Sequence, residues 1–305
     1  AGRLEDAKEQ FRAVVRLAPD NTDALFSLAL LELETGALQS ANRHLLQMLE
    51  TGKKTQSVYF YLGYAAQQLG RDDEAVEWYG KVTTGENWTK AQLGMANILV
   101  QQGRLEEVRE GMQRLRRNDP DNAVEIYLIE GQILSDLTLY NEAWQLYDQA
   151  LAAHADNEDL LYSRALTSEK IDRIDLAEKD MRRILELDPE NVRALNALGY
   201  TLADRTDRYE EAFSYIQQAY DRNPDDPAII DSMGWVHFRL GDLDKARKYL
   251  QQAWDMTGDG EIGAHLGEVM WMQGDRDDAR RIWAESKESS PDNPVLKKVL
   301  DRFMP

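Results

Sequence analysis

The chain has 305 residues, of which 43% are hydrophobic and 30% charged, so its length suits about two ordinary domains with buried cores. Its 36 Lys and Arg residues against 55 Asp and Glu residues give a net charge of −19, which repels phosphate backbones and excludes nucleic acid as the main partner. The absence of Cys excludes disulfides, Cys-ligated zinc and a thiol nucleophile, and no apolar run reaches the roughly 18 residues of a membrane span.

A small residue followed four positions later by a large apolar residue recurs along the whole chain, and successive pairs lie 33 to 35 positions apart. Another small residue usually stands 12 positions before the pair, and a proline often stands 12 positions after its small member. The small residues are Ala7, Ala41, Ala75, Val108, Ala143, Ala177, Ala212, Ala246 and Ala279, and their large followers are Phe11, Leu45, Tyr79, Met112, Tyr147, Met181, Ile216, Leu250 and Trp283.

This register resembles the tetratricopeptide repeat, in which helix A, a tight turn and helix B fill about 34 residues. It predicts an all-α fold, an α-solenoid in which helix-turn-helix repeats form a right-handed superhelix. Small residues allow helices A and B to approach closely, and the large residues fill the remaining space. The turns are expected to use left-handed glycines at Gly36, Gly70, Gly103, Gly241 and Gly274.

The register also predicts the organisation of the chain. Residues 1–21 are interpreted as the second helix of a truncated repeat, residues 22–291 as eight repeats and residues 292–305 as a capping helix. Since the first helix lacks its helix A, we expect the chain to be part of a longer protein. Gly199 precedes Ala212 by 13 positions instead of 12, which predicts one extra residue in the turn Asp204–Tyr209.

The capping helix has an apolar stripe with charged residues on the opposite face. We expect Asp292 to cap its N-terminus. Its charged residues Lys297, Lys298, Asp301 and Arg302 are expected to face away from the stripe, which consists of Val295, Leu296, Val299, Leu300 and Phe303.

The sequence contains no motif that indicates catalysis, a cofactor or a metal. It has four His residues, none four positions from another, and neither a phosphate-binding loop nor a nucleophile elbow. The segment from Asp255 to Gly260 resembles a calcium loop, but Leu266 occupies the position of the bidentate Glu. His237 and His265 fall on neighbouring A helices, where a satisfied or solvent-facing role is the better interpretation. We therefore expect a protein that is not an enzyme.

The A helices of a curved solenoid line its concave side, so their outward positions form a candidate binding groove. At any single one of these positions, packing between helices explains the residue as well as ligand binding does. Asn97 matches the Asn of the repeat variant that grips chaperone carboxylates, but the Lys of that variant is missing. As a set, the groove residues predict a surface for a peptide or a partner helix. They are Phe26, Phe60, Tyr61, Tyr64, Asn97, Gln132, Tyr162, Asn196, Tyr200, Trp235 and Phe238.

The phrases NALGYTLAD, DSMGWVHFRLGD and HLGEVMWMQG are more specific than the repeat pattern. Over residues 193–291 they resemble the C-terminal repeats of a family of proteobacterial envelope lipoproteins. This resemblance implies an adaptor that binds a periplasmic C-terminal processing (tail-specific) serine protease and delivers substrates such as peptidoglycan hydrolases. It also implies a place at the periplasmic face of the outer membrane, through a lipidated N-terminus outside this chain. A scaffold for an envelope assembly or polysaccharide export complex is the alternative, and the oligomeric state stays open.

Overall fold

The structure is a computed structural model that describes residues 2–304. These residues form 18 α-helices and one short 3₁₀ turn, with no strand among them, which confirms the predicted all-α fold. None of the described helices is long and apolar enough to cross a membrane. The helices are α1 (Gly2–Leu17), α2 (Thr22–Glu34), α3 (Leu38–Thr51), α4 (Thr55–Gln68), α5 (Asp72–Gly80), α6 (Trp88–Gln101), α7 (Leu105–Asn118), α8 (Ala123–Asp136), α9 (Tyr140–Ala153), α10 (Glu158–Lys170), α11 (Ile174–Leu187), α12 (Val192–Arg205), α13 (Tyr209–Arg222), α14 (Pro227–Arg239), α15 (Leu243–Thr257), α16 (Gly260–Gln273), α17 (Arg276–Ser289) and α18 (Pro294–Phe303).

The helices belong to two compact units, the first ending at Leu137 and the second beginning at Thr138. In the first unit α2 packs on α3 and α4 packs on α5, as hairpins of consecutive helices. In the second unit the same pairing joins α10 to α11, α12 to α13, α14 to α15 and α16 to α17. The boundary between the units falls inside the span that the sequence analysis assigns to eight consecutive repeats.

Close approach of paired helices depends on the small residue of each A helix. A Cβ placed on Gly234 would lie 2.5 Å from Leu250 Cγ, and one placed on Gly199 would lie 2.5 Å from Ile216 Cγ1. Real side-chain atoms do not approach so closely, so only glycine fits at these positions. The large partners are the residues that the repeat register assigns to helix B, which confirms the predicted small-to-large packing.

Seven of the turns between paired helices use a left-handed residue, as the glycine positions predict. The five glycines named above have φ values of 76°, 68°, 73°, 85° and 97°. At the equivalent place in two other turns the chain carries Thr138 and Asp172, each with a φ of 60°. A side chain with a Cβ is disfavoured in this conformation, and a β-branched residue such as Thr138 most of all.

Thr138→Gly is therefore expected to increase the free energy of unfolding by about 0.5–1 kcal/mol, because the turn already has the conformation that glycine prefers. Urea denaturation followed by circular dichroism measures the change. As a control, Gly241→Ala places a Cβ in the same conformation and should reduce stability by about 1 kcal/mol. A destabilised Thr138→Gly variant would show that the Thr138 side chain makes contacts worth more than the backbone strain.

Two local predictions are wrong. The extra residue near Asp204 lengthens α12, which ends six positions after Gly199 at Arg205, and the turn that follows keeps three residues. At the start of α18 the N-cap is Asn293, not Asp292, and its side chain accepts from the backbone N–H groups of two residues of the first turn. Asn293 takes this role because it directly precedes the proline at the first helical position, which has no N–H to satisfy.

Candidate functional site

A groove in the second unit brings four helices together. Within this unit α12 packs on α14, α14 on α16 and α16 on α18. Two cavities lie among these helices, of about 420 Å³ and about 680 Å³, and the Tyr200 side chain lines both. We call the smaller one the tryptophan cavity, since Trp235 lines it, and the larger one the acidic cavity, since four carboxylates line it. Together they form the C-terminal groove.

A buried ion pair lies between α14 and α16. His265 Nδ1 lies 2.9 Å and 3.2 Å from the two carboxylate oxygens of Asp231, and the residues are 1% and 7% exposed. The two residues stand 34 positions apart, so the repeat itself places them side by side. Burial alone lowers the pKa of His265, but the charge and the hydrogen bond of Asp231, with the charges of Glu261 and Asp204, outweigh it and raise the pKa.

This pair should leave a measurable pH dependence. The folded-state pKa of His265 is raised above its ordinary value of 6.5, so its stabilising contribution is complete below about pH 6.5 and is lost as the pH rises through the folded-state pKa. The stability difference between the wild-type protein and His265→Asn should be larger at about pH 5.5 than at about pH 8. Urea denaturation at the two pH values measures this difference.

The wild-type protein and His265→Asn are compared because the chain contains a second buried histidine, His237. Burial lowers the pKa of His237, so its contribution changes with pH in the opposite direction. Since both proteins contain His237, its effect cancels in the difference. A difference that grows from the lower to the higher pH would contradict the assigned direction for His265.

Two buried polar atoms of the groove have no partner within the described residues. Trp235 is 7% exposed and stacks on His265 with ring centroids 4.2 Å apart, yet its Nε1–H donates to nothing. Asn196, which lines the acidic cavity, has a buried Oδ1 that accepts from nothing. An unpaired buried donor or acceptor costs about 1–3 kcal/mol, so such atoms are unusual unless something else satisfies them.

The charges of the two cavities differ. The acidic cavity is lined by Asp226, Asp231, Asp259 and Glu261, with no Lys or Arg among its lining residues. Asp226 and Asp259 also cap α14 and α16 by accepting from backbone N–H groups. The tryptophan cavity is lined by two carboxylates and by the cations Arg239, Lys298 and Arg302. Within a chain of net charge −19, the tryptophan cavity therefore has an unusual excess of cations.

The charged residues Lys297, Lys298, Asp301 and Arg302 of α18 are exposed, as the stripe predicts. Lys298 and Arg302 also line the tryptophan cavity, and an Arg302 nitrogen lies 2.8 Å from Glu268 Oε1. They reach the cavity because α18 packs on α16, which brings one flank of the stripe over it. Burial raises the pKa of Glu268, although the charge of Arg302 opposes the shift.

Four of the predicted groove residues come together here. Asn196 lines the acidic cavity, Trp235 and Phe238 line the tryptophan cavity, and Tyr200 lines both and donates to Glu261 at 3.1 Å. Burial, followed by the charge of Glu261, raises the pKa of Tyr200 well above its ordinary value. Tyr162 lies in the same unit but lines neither cavity, and its ring lies 4.3 Å below the guanidinium of an arginine on α12.

The other six predicted groove residues lie in the first unit. Tyr61 packs edge-to-face with Phe26 and Phe60, at centroid distances of 5.6 Å and 5.1 Å. Tyr64 is 38% exposed. Asn97 and Gln132 are exposed, and Gln132 donates to Asp136 at 2.7 Å.

The repeat register does not predict five of the charged groove residues, which are Asp226, Asp259, Glu261, Lys298 and Arg302. Of the two roles expected for His265, satisfied or solvent-facing, the structure shows the first, with Asp231 as the partner that the sequence did not identify. The sequence feature that could have identified this partner is the spacing of one repeat between Asp231 and His265. Within residues 2–304, no group of three or more His, Asp or Glu side chains is placed to hold a metal ion.

Comparison with known proteins identifies the repeat. Family models of the tetratricopeptide repeat match residues 1–54 and 162–227, 56–84, 205–259 and 262–285. A TPR repeat-containing protein of Pseudomonas aeruginosa is 41% identical over 212 residues, which is 70% of this chain and 36% of that protein. This chain therefore spans only about a third of that relative's length.

Solved structures show the same fold. A tetratricopeptide repeat protein from Parabacteroides merdae aligns with a TM-score of 0.62 and 17% identity, over 83% of this chain and 100% of that one. A thermophilic TPR protein of Thermus thermophilus aligns with a TM-score of 0.53 and 25% identity, over 59% of this chain and 99% of that one.

Proposed function

Because the chain is a tetratricopeptide repeat protein, we propose that it is a non-catalytic scaffold that binds an extended segment of a partner protein in its C-terminal groove. The observation that carries the proposal is the pair of buried atoms without partners, Trp235 Nε1 and Asn196 Oδ1, in adjoining cavities. A peptide backbone presents both a C=O acceptor and an N–H donor at every non-proline residue, which are the two kinds of group that these atoms lack.

The side chains of the groove support binding more than catalysis. His265 is 1% exposed, so its ring nitrogens are closed to a substrate, whereas a general base must reach a proton of the substrate. Ser232, a hydroxyl of the acidic cavity, donates to the backbone carbonyl of Ala228 at 2.9 Å and has no bond to a base. Neither group has the arrangement that activates a nucleophile.

The finer role that we propose is that of a lipoprotein adaptor at the periplasmic face of the outer membrane. It binds a periplasmic C-terminal processing serine protease on one surface and holds a substrate, such as a peptidoglycan hydrolase, on another. Such a tether accelerates cleavage by raising the local concentration of substrate near the protease. This role is supported by the resemblance over residues 193–291, the part of the chain that contributes α12, α14 and α16 to the groove.

Affinity capture tests this role. The full-length protein is the bait in a detergent-solubilised envelope extract of its own organism. An unrelated protein of similar negative charge is the control for charge-driven capture. We expect a C-terminal processing protease together with cell-wall hydrolases, and we expect the purified adaptor to accelerate hydrolase cleavage by the purified protease. Capture of synthesis or export proteins instead, with no effect on cleavage, would contradict the adaptor role and favour the envelope scaffold.

A further inference from the structure

We propose that the C-terminal groove selects partner segments that carry a basic and an acidic side chain a few positions apart. The basic side chain occupies the acidic cavity and the acidic side chain occupies the tryptophan cavity. This inference rests on the proposed function, because it names the chemistry of the segment that the scaffold binds. It follows from two independent properties of each cavity, its charge and the polarity of its unpaired atom.

The acidic cavity favours a ligand group that is positively charged and donates hydrogen bonds. Its carboxylates form no ion pair with a Lys or Arg anywhere in the described part of the chain; Asp231 pairs with His265, and the charge of Glu261 also acts on His265. Asp226 and Asp259 accept from backbone N–H groups at 2.9 Å and 2.8 Å at the N-termini of α14 and α16, and neither forms an ion pair with a cationic side chain of the described residues. The atom without a partner in this cavity, Asn196 Oδ1, is also an acceptor. A Lys or Arg side chain supplies both the charge and the N–H groups.

The tryptophan cavity favours a ligand group that is negatively charged and accepts hydrogen bonds. Arg302 is held by Glu268, and Arg239 donates to the Tyr209 hydroxyl at 2.8 Å. Lys298 is exposed and forms no ion pair within residues 2–304. The atom without a partner in this cavity, Trp235 Nε1, can only donate. A carboxylate can neutralise the exposed Lys298 ammonium, whereas a second cation meets repulsion.

The two cavities are close enough for one short segment. Both touch the Tyr200 side chain, and an extended chain advances about 3.3 Å per residue. A basic and an acidic residue about two to four positions apart can therefore reach both cavities. Apolar lining residues such as Phe238 and Val295 offer contact to an apolar residue between them.

Four labelled peptides test the inference by fluorescence anisotropy with the 305-residue chain. The reference peptide has Lys and Glu three positions apart with Leu between them. The others replace Lys by Gln, Glu by Gln, or Lys by Glu. We expect the reference peptide to bind tightest, each single Gln peptide about five- to tenfold more weakly, and the doubly acidic peptide weakest. Equal affinity for all four peptides, or no binding of the reference peptide, would overturn the inference.

Two variants assign each charge to its cavity. The double variant Asp226→Asn, Asp259→Asn removes two charges and keeps both helix caps, because Asn caps as well as Asp. It should bind the reference peptide with an affinity closer to that of the Lys-to-Gln peptide than the wild-type protein does. Lys298→Gln should likewise reduce the difference in affinity between the reference peptide and the Glu-to-Gln peptide. If either variant weakens all peptides by the same factor while circular dichroism stays helical, the charges do not recognise the ligand as proposed.

The same variants separate this inference from the proposed function. If the double variant still captures the partner from the extract and still accelerates cleavage, the charge preference is wrong and the scaffold role stands. If the wild-type protein captures no partner while the reference peptide binds as expected, the adaptor role fails and the groove chemistry stands.

Discussion

Trp283→Ala is expected to reduce the free energy of unfolding by about 3–5 kcal/mol, the usual loss when a large aromatic residue is removed from a core. Trp283 has no exposed surface, stacks with Trp271 and Phe303 at centroid distances of 5.6 Å and 5.8 Å, and donates to the Ala264 carbonyl at 3.3 Å. Its loss leaves a cavity where α16, α17 and α18 meet. Guanidinium denaturation followed by circular dichroism measures the change.

Trp271→Ala is the matched control. Trp271 is partly exposed and lies beside the guanidinium groups of Arg276 and Arg280, 5.1 Å and 5.3 Å from its ring. Because water already reaches this residue, its removal should cost clearly less than that of Trp283. Equal losses for the two variants, or a loss below about 1 kcal/mol for Trp283→Ala, would contradict the assigned core.

Gly267→Ala is expected to destabilise the protein by about 1–3 kcal/mol, although alanine favours helix formation. A Cβ on Gly267 would lie 2.1 Å from Trp283 Nε1 and 2.6 Å from its Cδ1, and the buried ring has no room to move aside. Differential scanning calorimetry of the variant and the wild-type protein measures the effect. Combining Gly267→Ala with Trp283→Leu should cost less than the sum of the two single changes, since the smaller side chain relieves the clash.

Gly111→Ala provides the control within the same protein. Gly111 lies in the middle of α7, and a Cβ there would meet only Arg114 Nη2, at 4.0 Å. The substitution should therefore stabilise the protein by about 0.5–1 kcal/mol through helix propensity alone. If Gly267→Ala also stabilised the protein, the close approach of α16 and α17 would be refuted.

The helices and their pairing were predictable because the repeat encodes them locally. Each small residue and its large partner recur at about 34 residues, and the glycines of the turns fix where one helix ends. The extra residue of α12 could not be placed in the same way, since a longer helix and a longer turn give the same spacing. Likewise, Asn293 and Asp292 are both suitable N-cap residues, and what decides between them is that Asn293 directly precedes the proline at the first helical position.

The groove was predictable only in part. The register identified Tyr200 and Trp235 as facing residues, but it could not show that Trp235 is buried while its Nε1–H lacks an acceptor. Asp226 and Asp259 have an evident local role as helix caps, and nothing local indicates that stacked A helices bring them to one cavity. The position of Lys298 depends on how α18 lies on α16, which the stripe pattern of an isolated helix does not determine.

The most direct test of partner binding in the C-terminal groove is site-specific photocrosslinking. Benzoylphenylalanine is placed at Phe238, which lines the tryptophan cavity, and separately at Met256, which is 49% exposed on α15 and lines neither cavity. Each variant is irradiated with the partner obtained by affinity capture. We expect crosslinks from position 238, and we expect the unlabelled reference peptide, which carries Lys and Glu, to reduce them. Crosslinks from position 256 alone, or crosslinks from 238 that the peptide does not reduce, would contradict binding in this groove.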